Sequence, residues 1–166
     1  MDTLAHHLLD TTCRVAQALR RHGWCLVTAE SCTGGLIAGV CTGLSGSSEW
    51  FDRGFVTYSN AAKTAQLGVP AELIMAEGAV SEAVAEAMAT GALRASAAQV
   101  SVAVTGVAGP SGGSDHKPVG TVCLAWATPL GLSSAVVHFP GDRDAVRAAT
   151  VRHALAVLQA HLEAVP

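Results

Sequence analysis

Apolar residues near the start of the chain recur at helical spacing: Leu4, Leu8, Val15, Ala16 and Leu19 fall on one side, and Gly23 follows as a stop. The spacing predicts a helix over 3–22. Residues 24–29 then read as a strand, and 36–42 as a short helix entered from Gly34-Gly35 and left through a turn-rich segment at 43–48. The stretch 55–58 is β-rich and runs into Ser59-Asn60, both good capping residues for a helix beginning at Ala61. With Asn60 as the cap, Lys63 becomes the third helical residue. Helical composition returns over 70–96, broken near Gly78 and restarted at Ser81-Glu82. Val100, Val102 and Val104 alternate with Ser101 and Ala103 as a strand. Residues 120–128 and 132–139 form a predicted hairpin, and a last helix covers 142–163. The order α-β-α-β-α-α-β-β-β-α predicts an α/β fold, a single layered domain over 1–166 with a mixed β-sheet flanked by helices.

Composition narrows the function classes. The chain is 50% hydrophobic and only 14% charged, so it can bury a substantial core. No stretch approaches the roughly 20 apolar residues of a spanning helix. A net charge of −3 without a Lys/Arg tract gives counterion release little to work with, which argues against nucleic-acid binding. The opening MDTLAHHLLD is acidic and polar where a secretory leader is basic and then apolar, so a cytoplasmic location is expected. The five cysteines include no C-x-x-C pair and suggest no disulfide framework. His153 and His161 would lie about 12 Å apart along one helix, too far to share a metal, and no metal site is expected.

Three stretches can carry chemistry. Ser31, in AESCTGG at 29–35, falls between a strand and a helix start, where free backbone N–H groups favour developing negative charge. It reads either as a nucleophile with the amides of Cys32 and Thr33 at the oxyanion, or as a helix cap. Cys32 is a rival nucleophile with no histidine nearby in sequence. Lys63, early in its helix, sits where the helix field lowers a lysine pKa, which suits a proton acceptor for serine; a solvated surface charge is the other reading. Tyr58, five residues earlier, could relay a proton or orient the lysine. The glycine-rich loop from Thr105 to Gly113 permits close backbone approach to a ligand but matches neither standard nucleotide-binding motif. Arg143 and Arg147, four apart at a helix start, make either a phosphate site or a surface pair.

Taken together, AESCTGG at 29–35, GFVTYSNAAK at 54–63, VTGVAGPSGG at 104–113, KPVGTV at 117–122 and FPGDRDAVR at 139–147 closely resemble the CinA C-terminal domain family. They run in order through nearly the whole chain. One local departure is Ser45, which stands where the family often has proline. The resemblance implies a nicotinamide-nucleotide amidohydrolase, or NMN deamidase, of pyridine nucleotide recycling, working without metal or organic cofactor. It implies Ser31 as nucleophile assisted by Lys63 and Tyr58. Cys32, Thr33, Gly34, Thr105, Gly106, Gly109 and Pro110 would contact the mononucleotide, with Arg143 and Arg147 at its phosphate. It further implies the stand-alone form of a family in which many members carry an additional N-terminal domain, and it leans towards a homodimer. The alternative class is a silent module that binds a nucleotide or a partner connected with competence or DNA damage. Whether Ser47, Ser48 or Lys117 joins the site is open at this level.

Overall fold

The computed structural model describes residues 2–166, with side chains from Leu4 onward. The chain opens with α1 (Asp2–His7) and α2 (Leu9–His22). The single helix expected over 3–22 is therefore divided at Leu8, whose buried side chain accompanies a backbone (φ −104°, ψ 6°) outside the helical basin. There follow β1 (Leu26–Glu30), α3 (Leu36–Thr42), β2 (Phe51–Val56), α4 (Asn60–Leu67), α5 (Ala71–Glu77), α6 (Glu82–Arg94), β3 (Val100–Gly106), β4 (Thr121–Thr128), β5 (Gly131–His138) and α7 (Arg143–Glu163).

The strands form one sheet in the order β2-β1-β3-β4-β5. β1 is parallel to both β2 and β3, while β4 and β5 are antiparallel, so the sheet is mixed as the element order predicted. Helices cover both faces, which is why every residue of β1 is buried rather than every second one. Period-two alternation sorts the strand side chains. Leu26, Val100, Val102, Val104, Val122, Leu124 and Trp126 join one core with Leu19, Ile37, Leu155 and Leu158 from α2, α3 and α7. Val27, Ala29, Ala103, Cys123, Ala125 and Ala127 join a second core with Leu67, Ile74, Val84 and Met88 from α4, α5 and α6.

Two local expectations change. The second strand begins at Phe51 and ends at Val56, so Tyr58 lies beyond it. As an edge strand exposing Asp52, Arg53 and Gly54 it lacks the alternation that sequence reading relies on. Ser59 rather than Asn60 caps α4, its Oγ accepting from the amide of Ala62 at 3.0 Å. Lys63 is therefore the fourth helical residue, its amide donating to the Ser59 carbonyl at 3.1 Å. Among the described residues no helix is long and apolar enough to cross a membrane.

Candidate active site

The parallel strands β1, β2 and β3 end together, and the connections leaving them diverge. From β1 the chain turns to α3 on one face of the sheet, whereas from β2 it enters α4 on the other. The crevice between such diverging connections is where open α/β sheets bind ligands. The alternation of β1 carries through to its last residues: the Glu30 side chain reaches α3, and Ser31 is turned towards α4. The Ser31 amide donates to the Val104 carbonyl at 3.0 Å, which ties the turn to β3.

Lys63 supplies the opposite wall. Its Nζ donates to Ser31 Oγ at 3.0 Å and to the Thr57 carbonyl at 2.9 Å. The lysine is 2% exposed and the serine 8%. Burial lowers the Lys63 pKa from the ordinary 10.5. Among the described residues no carboxylate pairs with its ammonium. Relative to water, this environment shifts the balance towards the amine form. Cys32 is pushed up to about 11, chiefly by burial, and is a neutral thiol at neutral pH. Tyr58 does not meet the lysine: it is 62% exposed, and its hydroxyl accepts from Arg143 Nη2 at 2.7 Å. The group that orients Lys63 besides Ser31 is the Thr57 carbonyl, a backbone atom with no signature in the sequence.

Ser31 and Lys63 open into a cavity of about 250 Å³ that is also lined by Cys32, Tyr58, Thr105, Gly106 and Arg143. Ala108 of the glycine-rich loop also lines it, and Asn60, Ala79 and Val80, not anticipated as site residues, complete the lining. Thr105 Oγ1 donates to the Ala79 carbonyl at 2.8 Å and fixes that wall. Gly109 has φ +84° and offers its carbonyl to Arg143 Nη1 at 2.8 Å, so the glycine loop holds the arginine at the mouth. Thr33, Gly34, Gly109, Pro110 and Arg147 stand outside the lining. The two arginines separate: Arg143 faces the cavity, whereas Arg147 Nη2 donates to the Thr33 carbonyl at 3.1 Å. Ser47, Ser48 and Lys117 are also outside the lining, and Lys117 Nζ donates to the Glu77 carbonyl at 2.8 Å.

The largest departure concerns the start of α3. Its amides are not free for an anion from solution, because the buried Glu30 carboxylate takes them. Oε2 accepts from Gly35 N at 3.1 Å and Ile37 N at 3.0 Å, and Oε1 from Ala38 N at 2.8 Å. A glutamate closing an apolar run just before a Gly-Gly helix entry was the available signal.

The sequence profile of the CinA C-terminal domain matches residues 9–162. The chain is 51% identical over 152 residues to the nicotinamide-nucleotide amidohydrolase PncC of Escherichia coli K12, covering 91% of this chain and 92% of that protein. It is 52% identical over 157 residues to a Symbiobacterium thermophilum protein named for competence-damage induction, of which it spans only 37%. The crystal structure of the competence damage-inducible protein A from Klebsiella pneumoniae superposes with a TM-score of 0.91 at 41% identity, covering 95% of this chain and 98% of that one.

Proposed function

The chain belongs to the CinA C-terminal domain family, and from that premise we propose that it hydrolyses the carboxamide of nicotinamide mononucleotide to nicotinate mononucleotide and ammonia. The observation that carries the reading is the 3.0 Å contact between Ser31 Oγ and a buried lysine whose charged form is disfavoured. The amidohydrolase activity in the name of a relative matched across 92% of its length supports it.

In the amine form of Lys63 the contact reverses, and the Ser31 hydroxyl donates to Nζ. Oγ attacks the amide carbon as its proton passes to the amine, the Ser-Lys version of nucleophile and base. The oxyanion forms beside the amides of Cys32 and Thr33, which donate to no backbone carbonyl among the described residues. The ammonium of Lys63 returns the proton to the leaving nitrogen, and ammonia departs from a nicotinoyl ester on Ser31. Water then attacks the ester, its proton taken by the same amine, and Ser31 is regenerated with release of nicotinate mononucleotide. We assign Arg143 to the phosphate, because it faces the cavity with two of its donors already placed by Gly109 and Tyr58. Tyr58 acts there as the support of Arg143.

Ammonia release from nicotinamide mononucleotide by the purified protein, with Ser31→Ala in parallel, tests the reading. Release by the parent and not by the variant is expected. A folded parent that binds the mononucleotide and frees no ammonia would make this a binding module instead.

A further inference from the structure

Glu30 is fully buried, yet among the described residues no cation pairs with it. Its carboxylate is satisfied by four hydrogen bonds, and these differ in kind. Three come from the amides of Gly35, Ile37 and Ala38 and serve α3. The fourth and shortest, 2.7 Å, comes from the Thr33 hydroxyl and serves the turn instead. The residue in the N-cap position of α3, Gly35, has no side chain to cap with. Its φ of +96° would strain an Asp or Ser there, so the cap has to come from a side chain elsewhere. Capping α3 thus accounts for three of the four bonds, and the bond to Thr33 is additional to it.

The turn from Ser31 to Gly34 is tied to its surroundings at several polar atoms. Ser31 N donates to Val104 O at 3.0 Å, and Gly34 N to Ser31 O at 3.0 Å. The Thr33 carbonyl accepts from Leu36 N at 3.2 Å and from Arg147 Nη2 at 3.1 Å. The Thr33 side chain is held by Glu30. Among the described residues two backbone donors in the turn reach no carbonyl, the consecutive amides of Cys32 and Thr33 that follow Ser31. We propose that Glu30, acting through the Thr33 hydroxyl, is a positioning residue that aims those two amides at the oxygen of a tetrahedral adduct on Ser31. The inference rests on the hydrolase reading above. Preorganised donors matter in proportion to how well they are aimed, and a displacement of about 1 Å costs on the order of 10²-fold in rate.

Thr33→Val keeps the shape of the side chain and removes only the hydroxyl, so it breaks the link while leaving the three helix bonds of Glu30. It is expected to lower kcat for ammonia release by roughly 10- to 100-fold, with KM within about twofold. Thr33→Ser restores the hydroxyl and should recover kcat to within about threefold of the parent. Glu30→Gln should lower kcat like Thr33→Val. A second readout does not depend on the amide substrate. A fluorophosphonate bonds its phosphorus to Ser31 Oγ, fluoride leaves, the serine proton passes to Lys63, and the phosphoryl oxygen occupies the same two amides. The labelling rate, read by protein mass, should fall in step with kcat and recover in Thr33→Ser. A folded Thr33→Val protein with parental kcat and labelling rate would overturn the proposal, as would loss in Thr33→Val without recovery in Thr33→Ser. If Thr33→Val does not fold, Thr33→Ala breaks the same bond and is judged by the same rates. A parent that is labelled at Ser31 but releases no ammonia would sink the substrate reading alone, with the labelling series still deciding the role of Glu30. A folded parent giving neither reaction would overturn both.

Discussion

The two faces of the sheet are built on different scales. Towards α2, α3 and α7 the strands present Val100, Val102, Val104, Val122, Leu124 and Trp126, and the Trp126 indole N–H finds the Ala154 carbonyl at 3.0 Å. Towards α4, α5 and α6 they present Ala29, Ala103, Cys123, Ala125 and Ala127, and α6 answers with Ala85, Ala89, Gly91 and Ala92. Large side chains bury more area per residue and make the first face the main store of stability. Small ones let backbone approach backbone, and on that second face a lysine amine is enclosed with a carbonyl and a serine as partners. One face holds the fold together and the other spends stability on an unpaired amine.

The sharpest way to break this contrast is to remove that amine. Lys63→Met should lower the rate of ammonia release by about 10²- to 10⁴-fold, the usual worth of a general base, while raising the midpoint of thermal unfolding at pH 7. The pH dependence follows from the direction of the shift. Because the folded protein gives up the Lys63 proton below 10.5, the destabilisation is complete below the lowered pKa and disappears as pH rises towards 10.5. The stability gap between variant and parent should therefore narrow with rising pH, and the parent's rate should climb as the amine deprotonates. A gap that widens with pH would mean the lysine is charged and well paired. Next in size, Leu155→Ala in the large-residue core should cost about 2–5 kcal/mol in denaturant unfolding, yet leave kcat near the parental value at a temperature where the variant is folded. Smallest in stability is Gly91→Ala, where a Cβ would collide with the Leu67 carbonyl oxygen and push α4 from α6. A cost of about 1–3 kcal/mol is expected, and here kcat should fall as well, because α4 carries Lys63. Equal kcat in the two core variants would dissolve the distinction between the faces.

The sequence made some of this legible and hid the rest for physical reasons. The helix at 36–42, the break at Gly78, the β4–β5 hairpin and the last helix are marked by local signals, glycines and caps among them, and the structure places them within a residue of the expected bounds. β2 was misplaced because an edge strand needs no apolar alternation. Ser31 and Lys63 stood out separately, each with a bland reading beside it. Their 3.0 Å contact joins positions 32 residues apart and depends on the strand and helix that carry them. Glu30 went unremarked because its partners at Gly35, Ile37 and Ala38 are backbone atoms, and Tyr58 was assigned to the lysine because nothing local reveals Arg143, 85 residues away.

The bond from Arg147 to the Thr33 carbonyl has a meaning in time as well as in space. At typical synthesis rates of about 5–20 residues per second, on the order of ten seconds separate the making of Ser31 from that of Arg147. Once Lys63 has been made, for most of that interval, a nascent chain has its hydroxyl and its amine, but neither the arginine that pins the turn nor the one that stands at the cavity mouth. The finished pocket arrives with the last helix.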